Sequence, residues 1–186
     1  MRSAAALAAG AALALLAVPA VALYEHRPPP AHTGGFGEAT CASCHFDNEL
    51  NADGGVLAVD GLPDHFTPGQ RYRLSITLQH PELRRGGFQM AIRFTGPERA
   101  GEQAGSFHVR GDEIEVVEAV GVSYVQHTRD GSRAVDGAEA RWTVEWEAPA
   151  VNIPISLHVA ANAANGDASE FGDHVYRLER KVEAAH

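Results

Sequence analysis

The sequence predicts an all-β protein, an immunoglobulin-like antiparallel β-sandwich of roughly seven to nine short strands. Three observations support this fold class. Beyond Val56, apolar residues recur at every second position nearly to the end of the chain. Pairs such as Asp60-Gly61, Gly86-Gly87 and Asp130-Gly131 separate these runs and are typical of tight turns. No long segment has the 3.6-residue period of the helices that a parallel sheet would require.

Four alternating runs are the clearest strands, and they nearly define a core by themselves. In the first, Tyr72, Leu74, Ile76 and Leu78 alternate with polar residues, which predicts one buried and one solvated face. The pattern recurs at residues 88–94, 142–146 and 155–161, and places Trp142 and Trp146 in the core. Weaker strands are predicted at residues 56–59, 106–109, 113–118, 122–128 and 173–180.

The N-terminus has the organisation of a secretory signal peptide. Arg2 precedes a run of Ala, Leu and Gly that is too short to span a bilayer. The triplet Ala20-Val21-Ala22 follows a helix-breaking Pro19, which predicts cleavage after Ala22, or alternatively after Ala20. An uncleaved signal anchor is the competing interpretation. We therefore expect a periplasmic or secreted protein with no integral membrane segment after cleavage.

The chain divides into three regions by composition and pattern. Residues 1–22 form the signal peptide, and residues 23–54 form a linker rich in Pro, Gly and His with a turn or two of helix around two cysteines. Residues 55–186 form the β-sandwich domain. The formal net charge of the whole chain is −9, which disfavours nucleic acid or anionic lipid as the main partner and would suit a basic patch on a protein partner.

Residues 41–45 form a Cys-x-x-Cys-His motif, which is the attachment sequence of c-type haem. Attachment of c-type haem requires two thiols at one edge of the porphyrin and an imidazole at the iron. Positions i, i+3 and i+4 of a helical turn project from one side and meet that requirement. The sequence therefore predicts one covalent haem c on Cys41 and Cys44, with His45 as the proximal iron ligand.

Two other chemistries compete for the same cysteines. A dithiol oxidoreductase would place its Cys-x-x-Cys after a strand in a βαβ unit, and no such unit is visible. A structural zinc site needs four ligands, usually from two closely spaced pairs of Cys or His residues. This sequence contains only one such pair. The linker has roughly thirty residues and no apolar run of helix length, so it cannot bury a macrocycle by itself. We therefore expect the haem to pack against the β-domain.

The candidates for the sixth iron ligand are His127 and Met90. His127 stands at the end of a predicted strand and is the preferred candidate of the two, with a surface or hydrogen-bonding histidine as the competing interpretation. Met90 is less favoured because it lies on an apolar strand face and would ordinarily fill the core. His32 is a further, weaker candidate, and His158 is expected to be a solvent-side or sheet-packing residue. The remaining polar cluster is interpreted as turn-forming rather than as a cation site: Asn162, Asn165, Asp167 and Asp173.

Several motifs, in order along the chain, resemble those of one protein family. They are Thr33-Gly34-Gly35-Phe36-Gly37-Glu38, Phe66-Thr67-Pro68-Gly69-Gln70-Arg71-Tyr72, Gly87-Phe88-Gln89, Tyr124-Val125-Gln126-His127-Thr128, Trp142 with Trp146-x-Ala148-Pro149, and Gly172-Asp173-x-Val175-Tyr176. The chain resembles exported bacterial proteins that join a monohaem Cys-x-x-Cys-His motif to a Reelin-type, or choice-of-anchor V, β-domain. Phe36 stands where the family has Pro. The resemblance implies the fold more strongly than a biochemical role.

These observations favour an exported monohaem c-type protein that transfers single electrons, with a redox protein as partner. The alternative is an extracellular binding or adhesion module, or a haem sensor, in which the haem is structural or sensory. A peroxidase ranks third, because no distal acid-base group can be named from the sequence. A non-enzymatic role is thus favoured over an enzymatic one.

Overall fold

The structure is a computed structural model that describes residues 26–133 and 137–185. It contains ten strands: β1 (Val56–Asp60), β2 (His65–Phe66), β3 (Arg71–Gln79), β4 (Arg85–Phe94), β5 (Ser106–His108), β6 (Ile114–Ala119), β7 (Val122–His127), β8 (Glu139–Glu147), β9 (Ile155–Ala164) and β10 (His174–Ala184). Two single turns of 3-10 helix, Cys41–Ser43 and Asp130–Ser132, are the helical elements of the described part. No helix in that part is long and apolar enough to cross a membrane. The predicted signal peptide lies outside the described residues.

The strands form two facing sheets, as the sequence predicts. One sheet has the order β1-β3-β8-β5 and the other β2-β10-β9-β4-β7-β6. All neighbouring strands are antiparallel except β2, which runs parallel to the end of β10. The all-β, sandwich-type fold class is therefore confirmed.

The core lies between the two sheets and comes from the apolar half of each alternating strand. Phe88 of β4 packs on Trp142 of β8 with ring centroids 4.6 Å apart, and Phe66 meets the edge of Trp146 at 5.9 Å. Both indoles also hydrogen-bond to backbone carbonyls, which satisfies their only polar atom. The largest fully buried side chains include Trp146, Phe66, Phe88, Phe94, Leu74, Ile76, Leu78 and Ile92. The prediction that both tryptophans are core residues is confirmed.

The centre of the second face of the six-stranded sheet is buried, contrary to the alternating pattern of β4. The side chains predicted to be wet on β4, those of Gln89, Ala91 and Arg93, are buried, as is His158 of β9. Residues 26–45, here called the N-terminal segment, cover them. This segment contributes Ala31 to a small apolar cluster whose buried members are Ala91, Val122 and Tyr124. The fold is therefore a sandwich with a partial third layer.

Candidate functional site

The three predicted haem-attachment residues lie on one tight turn. Thr40 caps the 3-10 helix at Cys41–Ser43, since its Oγ1 accepts the N–H of Ala42 at 3.2 Å. The N–H groups of Cys44 and His45 both donate to the carbonyl of Cys41, at 3.1 and 3.0 Å. These bonds continue the turn through His45. The two thiols and the imidazole thus share one rigid local structure.

The side-chain amide of Gln89 fixes the N-terminal segment to the sheet by hydrogen bonds to the backbone of the segment. The Oε1 of Gln89 accepts the N–H of His32 at 2.7 Å, and its Nε2 donates to the carbonyl of Pro29 at 2.9 Å. The same amide also donates to Gln126 on the neighbouring strand. A buried glutamine on the outer face thereby satisfies polar backbone groups of a segment without regular structure.

A buried ion pair anchors the segment closer to the cysteines. Glu38, three residues before Cys41, pairs with Arg93 of β4 and accepts a hydrogen bond from the hydroxyl of Tyr124 on β7. The other carboxylate oxygen of Glu38 accepts the Thr33 hydroxyl, which closes a loop within the segment. Charges removed from water are retained only when paired in this way. This pair holds the turn against the sheet.

Gly35 and Phe36 pack directly over His158 at the centre of the sheet. A Cβ on Gly35 would stand 2.4 Å from Cγ of His158, so only glycine fits there. The ring of Phe36 meets the imidazole edge-on at 5.3 Å between centroids. Burial lowers the pKa of His158 despite the nearby carboxylate of Glu179. The sheet-packing interpretation of His158 agrees with this position.

His45 is held by a buried carboxylate. Its Nδ1 lies 2.7 Å from Oδ2 of Asp173, the residue directly before β10. Nδ1 is buried, whereas 31% of the side chain is exposed, and the Asp173 side chain is 1% exposed. The contact has the distance of an ion pair without the geometry of a hydrogen bond. A carboxylate beside Nδ1 favours a proton there, which leaves the lone pair on Nε2, the form that binds a metal.

Asp173 is fixed by further donors. Asn162 of β9 donates its Nδ2 to Oδ2 at 2.9 Å, and the N–H of Asn165 donates to Oδ1 at 3.0 Å. Burial by itself would raise the pKa of Asp173. The donors that face the carboxylate, the largest effect being that of His45, together outweigh burial and hold the pKa below its usual value. Asp173 is therefore a charged, preorganised partner for His45.

The environment of Cys41 bears on the competing chemistries. Both cysteines are free thiols, Cys41 half-buried and Cys44 exposed. Burial raises the pKa of the Cys41 thiol to about 12, against a smaller opposing effect of a backbone hydrogen bond. Dithiol oxidoreductases depend on a thiol whose pKa is lowered. This environment does not favour thiolate exchange at Cys41.

An exposed aromatic pair borders the turn. Phe46 directly follows His45, and Phe171 lies two residues before Asp173; their rings meet edge-on at 5.8 Å. The two residues are 59% and 49% exposed. Large apolar side chains that are this exposed beside a cluster of polar ligands offer a surface for an apolar partner.

These features fit a haem c. The donor set supplies two thiols and one imidazole at i, i+3 and i+4, Asp173 directs the lone pair of His45 to Nε2, and the aromatic pair supplies apolar surface. Cys41 and Cys44 would hold the macrocycle covalently, and His45 would ligate the iron.

The candidates for the sixth ligand occupy different places. His127 lies at the end of β7, where its Nδ1 is 3.0 Å from the N–H and 3.1 Å from the carbonyl of Phe88. Burial lowers its pKa, which favours the neutral imidazole. Met90 is fully buried in the core between the sheets, which agrees with the packing role that the sequence favours. His32 has its Nδ1 3.0 Å from the carbonyl of Pro30. Ligation by His127 remains a prediction.

One other group of potential metal ligands occurs among the described residues, formed by His80, Glu82 and His174. The two imidazoles are stacked with centroids 4.0 Å apart, and His80 Nδ1 accepts the backbone N–H of Glu82 at 3.2 Å. One possible ligand atom of each residue lies within 4.8 Å of the others, and His174 Nε2 is 3.5 Å from Oε2 of Glu82. The group joins the β3–β4 turn to the start of β10.

The sequence pattern does not identify Asp173, Glu38 or Arg93 as partners of the site. It assigns Asp173 to a turn with Asn162 and Asn165, and the turn exists, but the carboxylate faces His45 as well. It assigns Arg93 to a solvated face, whereas the side chain is buried. The one available signal is Glu38, an acidic residue in the motif that precedes the cysteines.

Comparison with solved structures identifies the class of fold. The reeler domain of human F-spondin matches 74% of this chain and 93% of its own length, with a TM-score of 0.51 and 22% sequence identity. The Reelin-N domain of F-spondin matches 74% of this chain and 91% of its own, with a TM-score of 0.49 and 21% identity. No protein-family model and no curated protein matches the sequence. The β-domain thus has a Reelin-type fold, and the likeness extends to the fold alone.

Proposed function

We propose that this chain is an exported monohaem c-type protein that transfers single electrons, with its haem attached to Cys41 and Cys44 and ligated by His45. The observation that carries the proposal is the docked turn at residues 41–45, in which His45 Nδ1 is held by buried Asp173. A bound haem c would supply a one-electron iron couple whose potential depends on its ligands and their surroundings.

The residues of the chain divide the work. Cys41 and Cys44 form the covalent links, His45 binds through Nε2, and Asp173 fixes the orientation of its ring. The Glu38–Arg93 pair keeps the cysteine turn on the sheet. This limits how far the turn would move when the charge of the haem iron changes during electron transfer. The net charge of −9 favours docking by a partner protein with a basic surface.

The test begins with the full chain expressed in a host that attaches c-type haem. We expect an N-terminus at Leu23 after export, a thioether-type spectrum in alkaline pyridine and a reversible one-electron couple by voltammetry. Cys41→Ala/Cys44→Ala should lose the covalent haem, whereas the matched control Ser43→Ala, within the same turn, should keep it. A colourless wild-type protein that contains a disulfide or zinc would overturn the proposal.

The sensory or binding alternative predicts a different result from the same preparation. A haem that is present but lacks a reversible couple, and whose visible spectrum shifts with CO or NO, would favour a sensor. The Reelin-type β-domain is compatible with either role, because fold alone does not determine function.

A further inference from the structure

We infer that Asp173 is a positioning residue that strengthens the His45 imidazole as an iron ligand and thereby holds the haem couple at a low reduction potential. This inference rests on the proposed function and adds the direction in which the protein tunes its potential. It also limits the redox partners to those that exchange electrons at low potential.

The geometry of the pair supports the inference. His45 Nδ1 and Asp173 Oδ2 are 2.7 Å apart, the distance of a close ion pair. The carboxylate side chain is 1% exposed and Nδ1 is buried, so water screens this contact little. A carboxylate this close to Nδ1 favours a proton on that atom and raises the basicity of the imidazole at Nε2.

Either a backbone carbonyl or a carboxylate could accept the Nδ1 proton of an iron-ligating histidine. Asp173 differs from a carbonyl because a carboxylate carries a charge. Three donor groups face it, His45 Nδ1, Asn162 Nδ2 and the Asn165 N–H, and the two oxygens of a carboxylate have acceptor sites for all three. A negative charge behind the proximal ligand stabilises the ferric iron more than the ferrous iron, because the ferric centre carries one more positive charge. The reduction potential therefore falls.

Asn162 acts in the opposite direction on the same oxygen. Its Nδ2 donates to Oδ2, the atom that faces His45, and so draws electron density away from that contact. Its own Oδ1 is buried without a hydrogen-bond partner, so the donation from Nδ2 to Asp173 is the one hydrogen bond of this side chain among the described residues.

The experiment compares the reduction potentials of the covalently loaded wild type with those of three variants. Asp173→Asn removes the charge and keeps the shape of the side chain, so we expect the potential to shift upward. Asn162→Ala leaves the charge and removes a competing donor, so we expect a downward shift. Glu170→Gln changes an exposed carboxylate on the same β9–β10 loop and should leave the potential unchanged.

A second measurement reports on the contact itself. In 15N-histidine-labelled reduced protein, the proton on His45 Nδ1 should resonate far downfield and move upfield in Asp173→Asn. Structural damage alone would not shift the potential in opposite directions in the two buried variants. If Asp173→Asn does not fold, the sign of the Asn162→Ala shift decides the question.

The outcomes separate the inference from the proposed function. Attached haem with opposite shifts in Asp173→Asn and Asn162→Ala supports both. Attached haem with a potential unchanged by either substitution overturns the role of Asp173 and leaves the haem protein intact. A wild type without covalent haem overturns the proposed function and, with it, the inference.

Discussion

Glu38 and Arg93 form an ion pair that is nearly closed to solvent, with side chains 10% and 7% exposed. The Tyr124 hydroxyl lies against both partners, donating to Glu38 and accepting from Arg93 at 2.6 Å. These three side chains link the N-terminal segment to strands β4 and β7. We therefore expect the position of the cysteine turn to depend on the Glu38–Arg93 pair.

We predict that Glu38→Gln destabilises the protein by about 3–5 kcal/mol, because it leaves the buried charge of Arg93 without an opposite charge. Guanidinium titration of the purified variant measures the free energy of unfolding, and limited proteolysis reports release of residues 26–45. The control is Glu147→Gln, which breaks the exposed pair with Arg71 and should change little. Equal effects of the two substitutions would contradict the prediction.

Gly35→Ala should displace the N-terminal segment from the sheet. The added Cβ would stand 2.4 Å from Cγ of His158, and overpacking of this kind costs about 1–3 kcal/mol. The matched test is Gly35→Ala/His158→Ala, which creates room for the methyl group. Unfolding free energies of both single variants and the double variant form a cycle, and we expect the double variant to be more stable than additivity allows. Simple additivity would show that the clash is absent.

Stability should decline as the pH falls below about 6.5, the ordinary pKa of histidine. Burial lowers the folded-state pKa of His158, so below pH 6.5 the unfolded chain binds more protons than the folded one. The stabilising contribution is present above the unfolded pKa and is lost as the pH falls toward the folded pKa. Burial also lowers the pKa of His80, so the effects add.

The measurement is the free energy of unfolding of the wild type and His158→Gln between pH 5 and 7.5. The variant should show a shallower slope, reduced by at most about 1.4 kcal/mol per pH unit, the value for one proton. His65→Gln, at a residue on the exposed side of β2, serves as the control. A slope unaltered by His158→Gln would exclude this histidine as the source.

The sixth iron ligand can be tested by a pair of substitutions. We predict that His127→Ala alters a low-spin spectrum of the loaded protein, whereas Met90→Leu does not. His127 uses Nδ1 on the backbone of Phe88, which leaves Nε2 for another partner, while Met90 is closed within the core. Met90→Leu conserves volume and should cost less than about 1.5 kcal/mol. A spectrum that responds to Met90→Leu alone would reverse the assignment.

Sequence patterning is sufficient for the strands that build the sandwich. The predicted run from Tyr72 to Leu78 lies within β3, and the runs at residues 88–94, 142–146 and 155–161 lie within β4, β8 and β9. Alternation works there because one face of each strand is apolar throughout. The pattern misses β2, since two residues are too short to show a period.

The same patterning fails where a third layer covers the sheet. Gln89, Arg93 and His158 have the polarity of a wet face, and nothing in a two-residue period indicates which segment packs on it. The proximal turn is predictable because its three ligands are local in sequence. Asp173 is not, because its contact with His45 joins residues more than a hundred positions apart and depends on the path of β10.

The position of the N-terminal segment on the sheet determines when this segment can dock during synthesis and folding. The surface that receives it includes β9 and β10, whose residues are synthesised more than a hundred positions after those of the segment. A chain that emerges from its N-terminus first must therefore leave Cys41 and Cys44 undocked until β9 and β10 have formed. During that interval both thiols are fully accessible to a maturation enzyme, whereas in the folded protein Cys41 is half-buried.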